Sequence, residues 1–183
     1  MTTRQAARAL VAGFVVQRLS EVRLAKRNEQ AARDAGAVEH GAAHYPAFFV
    51  LHPTWLVCML VESADEQRPP RWGWLALALA MQPVRWATMR TLGPQWTTRI
   101  LITPGAPRIE SGLYRLTNHP AYAAVTTELL AAPLGLRAPR TAAAATIANA
   151  LLLGLVRIPA EQRAEATRTA PQASAASEAP ATI

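Results

Sequence analysis

The sequence predicts an all-α fold: an integral membrane bundle of about five transmembrane helices. Three observations carry that prediction. Apolar residues make up 51% of the 183 and fall in five blocks rather than evenly. Proline punctuates the block boundaries, at Pro46, Pro69, Pro70, Pro94, Pro120 and Pro139, where helices start and break. The basic residues alternate by loop. If all five blocks span with the N-terminus outside, twelve of the 19 basic residues lie on one side and six on the other, with Arg85 inside a block. That bias places the richer side in the cytoplasm of a multi-pass cell-membrane protein.

Each block has its own signature. The first, residues 6–19, runs on into a charged helical stretch, SEVRLAKRNEQAARDAG, which Gly36 should stop. The second, 45–61, has no charged residue and carries His52 and Pro53. The third runs from 72 to about 92 with Arg85 in its second half. The fourth, 120–136, contains Glu128, and the fifth, 141–156, is rich in alanine. None reaches a clean run of about 20 apolar residues, so each alone would suit a soluble bundle. Frequent glycine and alanine within the blocks favour close packing in lipid. Residues 1–163 are expected to form the membrane domain. The low-complexity segment 164–183 is expected to be disordered.

Composition narrows the partners. A formal charge of +7 and a pI near 10.9 suit either nucleic acid or an anionic membrane surface. Blocked apolarity favours the membrane. Nucleic acid is not expected, since no zinc-finger spacing, basic zipper or lysine-rich arm is present. The single cysteine, Cys58, lies in an apolar run and reads as a packed residue. The first apolar stretch runs straight into Gln17 and Arg18, so no cleavable signal is expected. No metal is expected: His40 and His44 are four apart, but Gly41 and Pro46 suggest a loop there.

Polar groups inside apolar blocks are costly unless paired or used. Arg85 and Glu128 are either partners across the bundle or functional groups, and His52 reads first as a satisfied core histidine. The 93–119 segment is rich in arginine, threonine and turns, which suits an anionic ligand or anionic headgroups. Its WTTRILI stretch is a strand or an extended loop. In the five-span arrangement Arg115, His119, Tyr122, Arg157 and Glu161 converge on one membrane face.

At His119-Pro120-x-Tyr122 the chain resembles the isoprenylcysteine carboxyl methyltransferase family, in particular its bacterial branch associated with type III polyketide synthases. The matching stretches are RLSEVRLAKRNE (18–29), GAVEHGAAHYP (36–46), LGPQWTTRILITPGAP (92–107), SGLYRLTNHPAYAAVTTELLAAPLG (111–135) and VRIPAEQRA (156–164). The resemblance implies a membrane helical bundle that holds S-adenosyl-L-methionine on its cytoplasmic side. Carried over by position, His119, Pro120 and Tyr122 match the family's Arg-His-Pro-x-Tyr, and Glu161 matches the first acid of its distal Glu-Glu pair. Asn118 stands in place of the arginine and Gln162 in place of the second glutamate; both hydrogen-bond but carry no charge. Pro159 lies just ahead of the acidic position, where a helix prefers none. The cofactor-binding candidates are thus Arg115, Asn118, His119, Pro120, Tyr122, Arg157, Glu161 and Gln162, with His119 and Tyr122 also catalytic candidates. Glu128, His44 and Arg99 are candidates for binding the acceptor.

The implied chemistry is in-line methyl transfer, in which alignment supplies much of the rate. A carboxylate or an ionised enol needs no base, whereas a phenol would use His119, His44 or Glu39. The expected acceptor is a prenylcysteine carboxylate or a lipidic small molecule such as an alkylpyrone, entering sideways from the bilayer. The rival readings are an NADPH-dependent membrane reductase of the sterol-reductase type and a non-catalytic membrane interaction module. The sequence leaves the oligomeric state open.

Overall fold

The computed structural model describes residues 1–169. Its helices are α1 (Thr3–Asp34), α2 (Tyr45–Glu62), α3 (Trp72–Leu92), α4 (Pro120–Gly135), α5 (Pro139–Leu151) and α6 (Ile158–Thr169). A π-helical turn, Leu152–Arg157, joins α5 to α6 without a break. Two short strands, β1 (Val38–His40) and β2 (Ile100–Ile102), pair antiparallel with Val38 opposite Ile102.

All five apolar blocks are helices, with ends close to those expected. The caps explain why. Thr2 accepts from the Gln5 amide while the Gln5 side chain accepts from the Thr2 amide, a reciprocal cap at the start of α1. Gly36, at a φ of 79°, takes the left-handed conformation just beyond the end of α1. Proline opens α2, α4 and α5 near their first positions, where its missing N–H costs nothing. Glu62, ending α2, accepts from the amides of Arg140 (3.0 Å) and Thr141 (2.8 Å) and so caps α5 from another helix.

The core is built from small and aromatic residues. Ala6, Ala7, Val11 and Phe14 of α1 pack on Trp55 and Met59 of α2; Leu75, Ala78, Leu129, Ala131 and Ala132 fill the α3–α4 side. Phe14 and Trp55 meet at 5.2 Å between ring centroids. Contact is most extensive between α3 and α4. Gly135 permits it: a Cβ there would overlap Leu75 Cδ2 and lie 3.0 Å from the Leu75 backbone nitrogen. Large apolar side chains also point outward, among them Val50, Val57 and Val61 of α2 and Ile147, Leu151 and Leu155 of the last helix pair. Two described helical stretches are long and apolar enough to cross a membrane, Ala42–Glu62 and Pro139–Arg168.

Three expectations are corrected. The fold is mostly helical but not purely so, because 38–40 and 100–102 form a ribbon; the WTTRILI stretch supplies one strand of it. His40 is therefore on a strand and His44 in a 3-10 turn rather than an open loop. The last helix continues past residue 163 to Thr169, because Ala164 is fully buried against Ile100 and Ile102. Residues 170–183 of the expected disordered tail lie outside the described residues.

Candidate functional site

The start of α4 and the α5–α6 junction build the site between them. Pro120 opens α4, which leaves His119 at its N-cap and Tyr122 on the first turn, facing the last helix. On that helix Pro159 has no N–H for a regular helical bond. The wide turn at 152–157 lies just before it, and such a turn rotates the next stretch of helix by about one residue, roughly 100°. Arg157 closes that turn and Glu161 comes one turn later, both toward Tyr122.

The contacts are dense. The Tyr122 hydroxyl donates to Glu161 Oε1. Arg157 Nε donates to the same Glu161 oxygen (2.9 Å) and to the Tyr122 oxygen (3.0 Å). Arg157 Nη2 donates to the Thr98 carbonyl (3.2 Å). His119 Nδ1 lies 3.6 Å from the other Glu161 oxygen, and its ring stacks on Tyr122 at 5.2 Å and 13°. The Arg157 guanidinium also stands 5.7 Å over the Phe48 ring of α2. Four chain segments thus meet at one polar knot, half-shielded from water, where charge-assisted bonds are strong.

The knot borders a cavity of about 760 Å³ between α1, α2, α4, the ribbon and α6. That volume lies in the range of about 300–1,000 Å³ usual for ligand and cofactor sites. Of the predicted residues, Asn118, His119, Tyr122, Arg157, Glu161, Gln162 and Arg99 line it. Arg115 and Pro120 do not: Arg115 is exposed on the 112–115 turn and Pro120 is buried at the start of α4. His44 sits beside the site without lining the cavity, packed so closely that a Cβ on Gly41 would overlap its ring.

Glu128 stands apart from the cavity, wholly buried. Its carboxylate is held by Arg18 (2.5 Å), Gln82 (3.0 Å) and Arg85 (3.5 Å). Arg18 and Arg85 also bind Glu21, at 2.9 and 2.5 Å. The pairing of Arg85 with Glu128 read from the sequence is found, and Arg18 and Glu21 complete a charge-balanced four-residue cluster.

Several lining residues escaped the sequence reading. Arg108 donates to Asn118 Oδ1 (2.9 Å), which puts a guanidinium beside the residue that replaces the expected arginine. Glu165 lines the cavity one turn beyond Glu161, near the uncharged Gln162, and is paired with Arg168 (3.0 Å). Arg168 in turn donates to the Ala106 carbonyl (2.6 Å) and ties the 103–119 segment to α6. The spacing of Arg157, Glu161 and Glu165 at every fourth position was the available signal. Tyr114 lines the cavity as an uncharged phenol, its pKa pushed up to about 12 by burial, with the Glu161 carboxylate adding to the shift.

Arg99 is anchored from behind. It donates to Glu39 of β1, lies 3.7 Å from Glu29 and covers the Tyr45 ring at 4.0 Å. The Tyr45 hydroxyl bonds Thr98 Oγ1 (2.6 Å), which donates to Glu29 (2.8 Å). Burial works to raise the Glu39 carboxyl, but hydrogen bonds from Arg33 and Arg99 outweigh it and hold the pKa below its ordinary value.

Residues 74–166, just over half the chain, match the isoprenylcysteine carboxyl methyltransferase (ICMT) family. The uncharacterized protein YpbQ of Bacillus subtilis (strain 168) is 37% identical over 158 residues, covering 85% of this chain and 94% of that protein. No solved structure matches. The matched region contains most of α3, all of α4, the π turn, and His119, Tyr122, Arg157 and Glu161, and the chain belongs to the isoprenylcysteine carboxyl methyltransferase family, a family of membrane methyltransferases that use S-adenosylmethionine.

Proposed function

We propose that this protein is a multi-pass membrane O-methyltransferase that binds S-adenosyl-L-methionine at the polar knot and methylates a lipidic acceptor. The observation that carries the reading is the Arg157–Tyr122–Glu161–His119 cluster on the wall of the cavity. Its donor set fits the cofactor. Arg157 and Arg108 would hold an amino-acid carboxylate, Glu161 an ammonium or ribose hydroxyls, and the stacked His119–Tyr122 pair an apolar edge. The cofactor supplies an activated methyl on a sulfonium. The residues supply its orientation and a site shielded from water, and orientation alone accounts for much of the rate in an in-line transfer.

The acceptor side is apolar. Leu19 and Phe49 line the cavity and are also about half exposed on α1 and α2, at 53% and 49%. An opening there would admit a lipid tail sideways. All five long helices would cross the bilayer, with the knot on the arginine-rich, cytoplasmic side.

Calorimetry of S-adenosylmethionine with the detergent-purified protein tests the reading. Saturable binding is expected, with a loss of about tenfold or more in affinity in His119→Ala. A folded sample that takes up no ligand at millimolar concentration sinks it.

A further inference from the structure

The stretch RLSEVRLAKRNE (18–29) ends on Asn28 and Glu29, neighbours on the charged half of α1. Both lie outside the matched region 74–166, and among the described residues neither bonds a member of the polar knot. Glu29 is nonetheless buried, which is costly for a carboxylate unless it is paired.

What the two residues hold is the segment between α3 and β2. Asn28 Nδ2 donates to the Gly93 carbonyl (3.1 Å) and to the Trp96 carbonyl (2.7 Å), so both amide hydrogens are used on backbone. The Thr98 hydroxyl donates to Glu29 Oε1 at 2.8 Å. Its one hydrogen is spent there, so the Tyr45 hydroxyl, 2.6 Å away, donates to Thr98 Oγ1. Consecutive helix positions diverge by about 100°, and the pair grips the 93–98 segment near both its ends.

Thr98 carries the link onward. Its carbonyl accepts from Arg157 Nη2 at 3.2 Å, while Arg157 Nε is used on Tyr122 and Glu161. Among the described residues Arg157 Nη1 has no hydrogen-bond partner, and it is the nitrogen left for a ligand on the cavity wall. A bond of 3.2 Å is at the long end of the usual range, so a shift of about half an ångström in the Thr98 carbonyl would end it. The guanidinium would then be anchored at Nε alone and free to turn.

We propose that Asn28 and Glu29 are positioning residues for the cofactor site: they fix the 93–98 segment so that the Thr98 carbonyl aims Arg157 at the carboxylate of S-adenosylmethionine. The proposal rests on the methyltransferase reading of the polar knot, and it gives the N-terminal helix a part in that site. A pair that only stabilised the bundle would act without regard to Arg157.

Calorimetry of S-adenosylmethionine with the full chain in detergent tests it, with thermal unfolding to show that each variant is folded. Glu29→Ala and Asn28→Ala should each weaken binding about tenfold. Glu29→Gln, which keeps an acceptor oxygen for Thr98, should stay within about threefold of wild type. Thr98→Val removes the same hydrogen bond at similar volume and should repeat the Glu29→Ala loss, so a misfolded alanine variant leaves the test intact. In an Arg157→Ala background, Glu29→Ala should weaken binding by less than about twofold more, because the group it positions is gone. Unchanged affinity in Glu29→Ala and Thr98→Val, or an equal loss with and without Arg157, overturns the proposal and leaves the methyltransferase reading in place. A wild-type protein that takes up no S-adenosylmethionine ends both.

Discussion

At the scale of single residues, the departures from the family pattern have neighbours that offset them. Asn118 lacks a charge, but Arg108 donates to it from ten residues upstream and lines the same cavity. If Arg108 supplies the missing cation, Arg108→Ala should lower S-adenosylmethionine affinity about tenfold, the usual size for a charge-assisted hydrogen bond. Adding Asn118→Arg to that variant should restore most of it, measured by calorimetry. No recovery in the double variant would mean that Arg108 serves only the loop. Gln162 has no direct counterpart, although Glu165 one turn away puts a carboxylate on the cavity wall.

At the scale of elements, the ribbon and the π turn are what a helical reading overlooks. Three-residue strands carry too short a pattern to separate from a loop, and Val38–His40 gains meaning only opposite Ile100–Ile102. The ribbon closes one wall of the cavity and holds Arg99 through Glu39. Because the folded Glu39 pKa is depressed, its contribution to stability is present above the unfolded carboxyl pKa, near 4.3, and is lost as pH falls through the lower folded value. Glu39→Gln should therefore flatten the acid limb of the unfolding-temperature profile and leave its neutral part lower than wild type. A profile of unchanged shape argues against the Glu39 pairing. Gly41 links the ribbon to α2 at a φ of 62° with the His44 ring against it. Gly41→Ala should cost about 1–3 kcal/mol in stability, from backbone strain and displacement of His44, read as a lower unfolding temperature.

For the whole molecule, one buried cluster ties α1, α3 and α4 together. Arg18, Glu21, Gln82, Arg85 and Glu128 pair with one another where no single helix could bury any of them. Removing one charge from such a set leaves another uncompensated, at about 3–5 kcal/mol. Glu128→Ala should lower the unfolding temperature far more than a substitution at exposed Arg115, by thermal unfolding in detergent. Similar values for the two would mean that water reaches the cluster. Arg18, Glu21 and Arg85 of that cluster also line the inner end of the cavity, so the bundle's stability and the shape of that end depend on the same residues.

The chain's own residues determined the five helices and their ends, because apolar blocks, prolines and Gly36 act locally and show in one dimension. They also determined most of the polar knot, since His119, Tyr122, Arg157 and Glu161 stand at recognisable spacings around those ends. Tertiary structure decided the rest. Nothing local indicates that Arg108 would reach Asn118, or that Arg18 and Glu21, outwardly part of a charged helix, would turn inward to meet Arg85 and Glu128. Such pairs depend on distances between segments up to 110 residues apart. Those distances are set by how closely α3 and α4 can pack at Gly135 and how far the π turn rotates Arg157, which are properties of the packed chain and not of any stretch of it.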